Sequence, residues 1–205
     1  MATKKITGRG KEGLMPDQAI MVDIETLSTK PSAAIITIGA VMFDPRGYDT
    51  EESLRDSAML FGPISFDSNE KEGRHIQADT IAWWLKQSRE AQAGLFEGNV
   101  VSLRAALENF RQWVNKTTPM PTRFWAKDPT FDGVILEHAF EQLGLMWPFK
   151  FWETRSVRTI MELAYPPGGL RGDFPEIGVG VAHNAVDDCI RQALAVQHGH
   201  HVLDA

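Results

Sequence analysis

The chain has 205 residues, 43% of them hydrophobic and 23% charged, which is the balance of a soluble globular protein long enough for one domain with a sizeable core. Cys189 stands alone, so an internal disulfide framework and a multi-cysteine zinc site are excluded, and with no membrane-length apolar run and no signal-peptide core the expected setting is a reducing cytoplasm. A formal net charge of −6 does not suit a dedicated basic-surface binder of nucleic acid, but it leaves room for an enzyme that meets nucleic acid transiently.

Residues 1–17 mix Lys, Arg and Gly without periodicity and read as a mobile basic tail. The domain proper is expected over 18–205. An apolar run makes residues 18–23 a first strand, and Ile35–Phe43, rich in β-branched residues, a second. Their short link predicts a hairpin, and Asp44-Pro45-Arg46-Gly47 a turn. A third strand is expected near Met59–Phe66. Asp79-Thr80 reads as the cap of a helix from Ile81 towards Ala91. Leu103, Leu107, Phe110 and Val114 keep helical spacing. Thr122–Ala126 reads as a short strand, and Phe131 opens a helix to about Leu143. Phe149–Glu153 is expected as another strand and Val157–Ala164 as a helix. Tyr165–Gly180, with its Pro and Gly clusters, reads as a long loop, and a last helix runs from the region of His183 to about His200. The order of these elements points to one α/β domain with a mixed sheet flanked by helices.

Chemistry concentrates at a few points along this order. In a strand, residues i and i+2 share a face, so Asp23 and Glu25 point the same way. Two such carboxylates repel unless a proton or a cation lies between them, and hard oxygen donors suit Mg²⁺ or Mn²⁺. A strand ending in two solvated acids is the ordinary alternative. Asp132 opens a helix, where a negative charge is also favoured simply by the dipole. His183 precedes Asp188 by five residues across a helix entry, so imidazole and carboxylate can approach one point; capping and surface charge are the ordinary reading of that stretch too. Asp187 would face about 100° away, as a supporting or solvated acid. Cys189 is expected to be buried and inert.

Taken together, Asp23-x-Glu25, Phe131-Asp132 and His183-x-Ala185-x-x-Asp188 resemble, in order and spacing, the three motifs of the DEDDh 3′→5′ exonucleases, which have a ribonuclease H-like fold. The likeness runs from about Gln18 to the last helix. Flanking stretches, Thr80-Ile81-Ala82-Trp83-Trp84, Gln87-Ser88, Glu90-Ala91 and Phe151 to Thr159, resemble the phage dexonuclease A branch with its exodeoxyribonuclease VIII-like and exoribonuclease-like relatives. That pattern usually ends Asp-Ala; here it ends Asp188-Cys189.

The resemblance implies a ribonuclease H-like α/β domain hydrolysing single-stranded nucleic acid from 3′ ends to nucleoside 5′-monophosphates, with DNA expected ahead of RNA. It implies Asp23, Glu25, Asp132 and Asp188 as ligands of two divalent ions, Mg²⁺ or Mn²⁺, and His183 as general base. Thr26 and Leu27 are expected at the terminal nucleotide, Leu27 as a wedge, and Trp83 or Trp84 as a stacking ring, with core the favoured reading for whichever tryptophan keeps the apolar face. Arg155 and Arg158, three apart, are expected to meet phosphate or to form a structural ion pair. An exoribonuclease, an oligonucleotide-clearing enzyme and a non-catalytic nucleic-acid-binding relative are the alternatives. No membrane partner is expected, and relatives of the fold suggest a homodimer.

Overall fold

A computed structural model describes residues 18–117, 122–166 and 177–205. The basic tail and most of the expected 165–180 loop lie outside the described residues. The strands are β1 (Ala19–Thr26), β2 (Ile35–Phe43), β3 (Met59–Phe61), β4 (Arg123–Ala126) and β5 (Thr154–Ser156). The helices are α1 (Glu51–Ser57), α2 (Phe66–Lys71), α3 (Ala78–Trp84), α4 (Arg89–Gly94), α5 (Leu103–Thr117), α6 (Asp132–Gln142), α7 (Val157–Ala164) and α8 (Ala185–Asp204). Among the described residues the five strands form one sheet in the order β3-β2-β1-β4-β5. The first three strands pair antiparallel, and β1-β4-β5 pair parallel, which is the expected mixed sheet.

The strand periodicity of β1 divides the core in two. Ile20, Val22 and Ile24 face α5 and α6, packing with Leu107, Phe110, Leu136 and Phe140. Ala19 and Met21 face the other way, with Val41, Trp125, Ile160, Ile190 and Ala193 on the α7–α8 side. Burying each large apolar side chain contributes about 1.5–3 kcal/mol, so both layers are fixed to the sheet. Asp23 and Glu25 continue the second series and therefore look towards α8. The hairpin with β2 holds, and Gly47 N–H donates to Asp44 O at 2.9 Å in the expected turn.

Several boundaries differ from the sequence expectation. β1 runs three residues further than 18–23, because its ladder with β2 continues through Asp23↔Gly39, Glu25↔Thr37 and Thr26↔Ile35. The carboxylates thus stand on the strand and not beyond it. β3 ends at Phe61, and Ser65 then caps α2, accepting from Ser68 N–H. The helix expected from Ile81 towards Ala91 is two helices. Gln77 begins α3 without a side-chain cap, so Asp79 and Thr80 lie inside it, and Ser88 caps a separate α4. The stretch Phe149–Glu153 is not a strand: Phe149 packs in the core, Phe151 and Trp152 are exposed, and 151–153 form one 3-10 turn before β5. α1, with a Thr50–Ser53 capping box, was not expected at all. Among the described residues, no helix is long and apolar enough to cross a membrane.

Candidate active site

The chemistry-bearing residues meet at the C-terminal half of β1. Pairing of β1 with β4 ends at Met21↔Trp125, so the next edge N–H groups of β1 need other acceptors. Asp132 supplies one: its Oδ1 accepts from Ile24 N–H at 3.2 Å. The chain leaves β4, turns through Lys127–Phe131 and starts α6 at this residue, so a helix start is tied directly to the strand carrying Asp23 and Glu25.

From the opposite side, α8 brings Asp188 and His183. Asn184 caps α8 by accepting from Val186 and Asp187 N–H. His183 sits in the preceding loop with φ 64°, a left-handed conformation that His adopts more readily than most residues. Its own N–H donates to Asp188 Oδ2 at 3.0 Å, which closes the loop onto the helix. One donor atom each from Glu25, His183 and Asp188 lies within 4.8 Å of the others. Asp23 and Asp132 flank this trio; the charges of Asp132 and Asp188 both act on Asp23.

The electrostatics are those of acids crowded out of water. Burial, followed by repulsion from Asp132 and Asp188, pushes the Asp23 carboxyl well above its ordinary value, opposed by the Gln192 amide and by Lys127. Burial, then Asp23, Asp188 and Asp132, pushes Glu25 up to about 10. Asp132 is raised by burial to about 7, held back by the N–H bonds it accepts. Glu25 is 7% exposed, and its Oε1 is buried without a hydrogen-bond partner. An orphaned buried oxygen among acids that resist ionisation fits a divalent cation, which would supply the missing charge to several of them together. The imidazole in the trio is also an accepted donor for such ions as Mn²⁺ or Zn²⁺.

Beside Glu25 lies a cavity of about 420 Å³ lined by Thr26, Gln77, Thr80, Trp83, Trp84 and Phe131, among others. Thr26 is on its wall, buried, with its hydroxyl donating to Ser28 O at 2.7 Å. The stacking role expected of Trp84 is not supported. Its ring is 6% exposed, and its Nε1–H donates to Thr26 O at 2.9 Å. Trp83, 42% exposed, is the accessible ring, edge-on to His183 at 4.9 Å between centroids. Leu27 is likewise not a free wedge; it is buried with Ala34, Ile36, Trp84 and Leu95.

Arg155 and Arg158 do not line this cavity and do not share a helix. Arg155, on β5, donates Nη1 to the carbonyls of Trp152 and Thr154, and Arg158, on α7, lies 3.6 Å from Asp128. Asp187 points away from the trio, paired with Arg55 at 2.8 Å and accepting from Val181 N–H at 2.7 Å, so it fastens the loop before α8 to α1. Cys189 is fully buried, and burial with the nearby acids raises its thiol well above the ordinary value.

Two neighbours of the site, Gln192 and Arg191, were not foreseen. Gln192, one helical turn past Asp188, donates Nε2–H to Asp23 Oδ1 at 2.8 Å. Its i+4 spacing was the available signal. Arg191 contacts Asp188 Oδ1.

The family described as 3′-5′ exoribonuclease Rv2179c-like domain matches residues 18–199. An exodeoxyribonuclease of Enterobacteria phage T4 is 25% identical over 206 residues, covering 87% of each chain. Among solved structures, cell-death related nuclease 4 superimposes with a TM-score of 0.62 at 16% identity over 89% of this chain and 63% of its own. The zinc-bound form of the E. coli ExoI–ssDNA complex gives 0.61 at 14% over 93% and 42%. The nuclease domain of 3′hExo, a DEDDh family member bound to rAMP, gives 0.51 at 12% over 92% and 93%. The chain therefore spans less than two thirds of the first two of these structures. At such identities the structural likeness speaks for the fold, which is that of the DEDDh nucleases.

Proposed function

The chain belongs to the Rv2179c-like 3′-5′ exoribonuclease domain family, and from that premise we propose that it is a divalent-metal-dependent exonuclease removing nucleoside 5′-monophosphates from the 3′ ends of single strands. The observation that carries this reading is the convergence of Asp23, Glu25, Asp132 and Asp188, from a strand and two helix starts, around Glu25's unpartnered oxygen and beside a nucleotide-sized cavity.

The four carboxylates would hold two ions, Mg²⁺ or Mn²⁺. When bound, such ions supply Lewis acidity that makes water nucleophilic near neutral pH and offsets charge on the phosphate. His183, held at the rim by its φ of 64° and by Trp83, takes the proton of the attacking water. The new bond is water oxygen to phosphorus; the bond broken is phosphorus to the 3′-oxygen, which leaves on the shortened strand. Trp83 gives the terminal base an apolar edge, and Thr26 and Gln77 line the cavity where its sugar would sit. In this reading Thr26 and Trp84 form part of the wall, and Leu27 packs behind them.

DNA is the first substrate in this reading, supported by the phage exodeoxyribonuclease that matches along most of its length. RNA is the second, favoured by the family's own description and by the polar lining beside Glu25, which could answer a 2′-hydroxyl. The catalytic domain is assigned to 18–205, acting in the cytoplasm, with a homodimer as the assembly.

The test uses 5′-labelled DNA and RNA strands of one sequence, with Mn²⁺ or with EDTA, for wild type, Asp23→Ala and His183→Ala. A metal-dependent ladder shortening from the 3′ end is expected, abolished by Asp23→Ala. His183→Ala should lower the rate by about 10²–10⁴-fold while metal binding persists. Undiminished cleavage by Asp23→Ala, or cleavage from the 5′ end, would refute the assignment.

A further inference from the structure

His183 is the one member of the candidate site that stands outside a strand or a helix. Asp23 and Glu25 are on β1, and Asp132 and Asp188 are in the first turns of α6 and α8. The φ of 64° at His183 is sparsely populated for a residue with a Cβ. Such a conformation persists only where the surroundings over-determine it.

Here they do so through alternate residues of the loop. Val179 O accepts from Arg191, Val181 N–H donates to Asp187 Oδ2 at 2.7 Å, and His183 N–H donates to Asp188 Oδ2 at 3.0 Å. Arg191 and Asp188 also hold each other, beside the carboxylates of the site. Asp187 reaches the other way, to a different element: its Oδ1 lies 2.8 Å from Arg55 Nη2 on α1. Glu51 grips the same guanidinium, its Oε1 accepting from Nε at 3.0 Å and from Nη2 at 2.8 Å. α1 is in turn fixed to the body of the protein. Leu54 is buried in the cluster of Val41, Phe43 and Ile190, and Ser57 Oγ donates to Met42 O at 3.0 Å. The slot for Asp187 is closely fitted, since a Cβ on Gly180, at φ 48°, would run into its carboxylate. Both oxygens of this buried acid are therefore engaged, one by the loop that carries His183 and one by α1.

We propose that Asp187 and Arg55 are positioning residues for His183: they hold its loop against α1 so that the imidazole keeps its place beside Glu25 and Asp188, and they touch neither metal nor strand. The proposal rests on the exonuclease reading for the task of His183, but not for the hold on the loop. A reacting group misplaced by about 1 Å can cost about 10²-fold in rate. The four carboxylates stand on other supports, so the loss belongs in kcat and not in metal binding.

The test measures kcat and KM on a 5′-labelled single-stranded 12-mer with Mn²⁺, Mn²⁺ affinity by calorimetry, and hydrogen exchange of the loop amides in EDTA. The proteins are wild type, Asp187→Ala, Arg55→Gln and Arg55→Lys, with the first two substitutions made again in His183→Ala. Asp187→Ala should lower kcat by about 10- to 100-fold and Arg55→Gln by about threefold to tenfold, with KM and Mn²⁺ affinity within about twofold of wild type. Arg55→Lys, which keeps a cation for Asp187, should recover most of the loss seen in Arg55→Gln. In the His183→Ala background neither substitution should cost more than about twofold, because a residue acting through His183 has nothing left to position. Arg55→Gln alters an exposed side chain, so it reads this coupling even where Asp187→Ala unfolds. Exchange at amides 181–184 should quicken in Asp187→Ala while that of β1 is unchanged. Equal losses of kcat with and without His183 would make the pair a general prop and overturn the proposal, as would wild-type kcat in both single variants. If wild type cleaves no strand yet the loop amides still exchange faster in Asp187→Ala, the hold on the loop stands and the exonuclease reading falls.

Discussion

A Cβ placed on Gly39 would stand 2.4 Å from both the carbonyl carbon and the oxygen of Ala185, the first residue of α8. Gly39 is also the ladder partner of Asp23. The missing side chain thus lets the start of α8 rest on the sheet beside the metal-facing strand, and Asp188 arrives at Glu25 as a consequence. Backbone cannot yield as a flexible side chain can, so Gly39→Ala must push α8 away. Overpacking of this kind costs about 1–3 kcal/mol or more. The expected result is a lower urea midpoint together with weakened Mn²⁺ binding by calorimetry. Wild-type stability in Gly39→Ala would show that α8 does not need this contact.

Crowded acids also give the metal-free protein a characteristic response to pH. Folding raises Asp132 from 3.8 to about 7 and Glu25 from 4.5 to about 10, and raises Asp23 in the same direction. A carboxyl raised on folding binds its proton more tightly in the native state, so its contribution is fully present below the unfolded value. That contribution is lost as pH rises through the folded one. Stability in EDTA should therefore fall between about pH 5 and pH 9, by up to about 1.4 kcal/mol per pH unit for each carboxyl still protonated only in the folded state. Saturating Mn²⁺ should flatten the slope, because ligation replaces the protons. Thermal melts across this range, with and without the ion, check both halves; a metal-free Tm that rises with pH would contradict the reading.

Much of this was legible in the sequence because period and spacing report directly on geometry. The alternation through Ile20, Met21, Val22, Asp23, Ile24 and Glu25 gives both the strand and its two faces, and the DEDDh spacing brought the five polar residues together. What was not legible depends on packing between distant segments. Nothing local distinguishes Trp83 from its neighbour Trp84; burial against Leu27 and a bond to the Thr26 carbonyl decide it. Phe149–Glu153 has a strand's composition but not its alternation. Gly39 looked like one more small residue in an apolar run, since the helix it admits lies almost 150 residues away.

Gln192 should tune the metal site without touching the metal. Its amide donates to Asp23 Oδ1 at 2.8 Å and so restricts the rotation of that carboxylate. Partners that orient a ligand in this way change metal affinity by about 10–100-fold when lost. Gln192→Leu should therefore weaken Mn²⁺ binding by about tenfold at the low end of that range. Its melt in EDTA should change little, because the substitution removes the donor to buried Asp23 together with the buried Gln192 Oε1, which has no partner. Calorimetry and melting separate the two effects. Equal metal affinity in Gln192→Leu and wild type would reduce the amide to a packing group.

The two adjacent tryptophans should separate stability from substrate binding. Trp84→Phe keeps a ring in the small Leu27 cluster but leaves Thr26 O without its indole donor, a loss of about 0.5–1.5 kcal/mol or somewhat more for a buried carbonyl. Its Tm should drop, with the rate on single strands following the folded fraction. Trp83→Ala removes an exposed ring from the cavity wall, so its Tm should hardly move. A lost base contact is worth about 1–3 kcal/mol, which should appear as a KM higher by about tenfold. Because Trp83 also lies edge-on to His183, a part of the loss belongs in kcat. Trp83→Phe, which restores a ring edge beside the imidazole, should recover more of kcat than of KM. The reverse pattern, with Trp84→Phe defective in KM and Trp83→Ala defective in stability, would mean that the terminal base enters the molecule from the other side of α3.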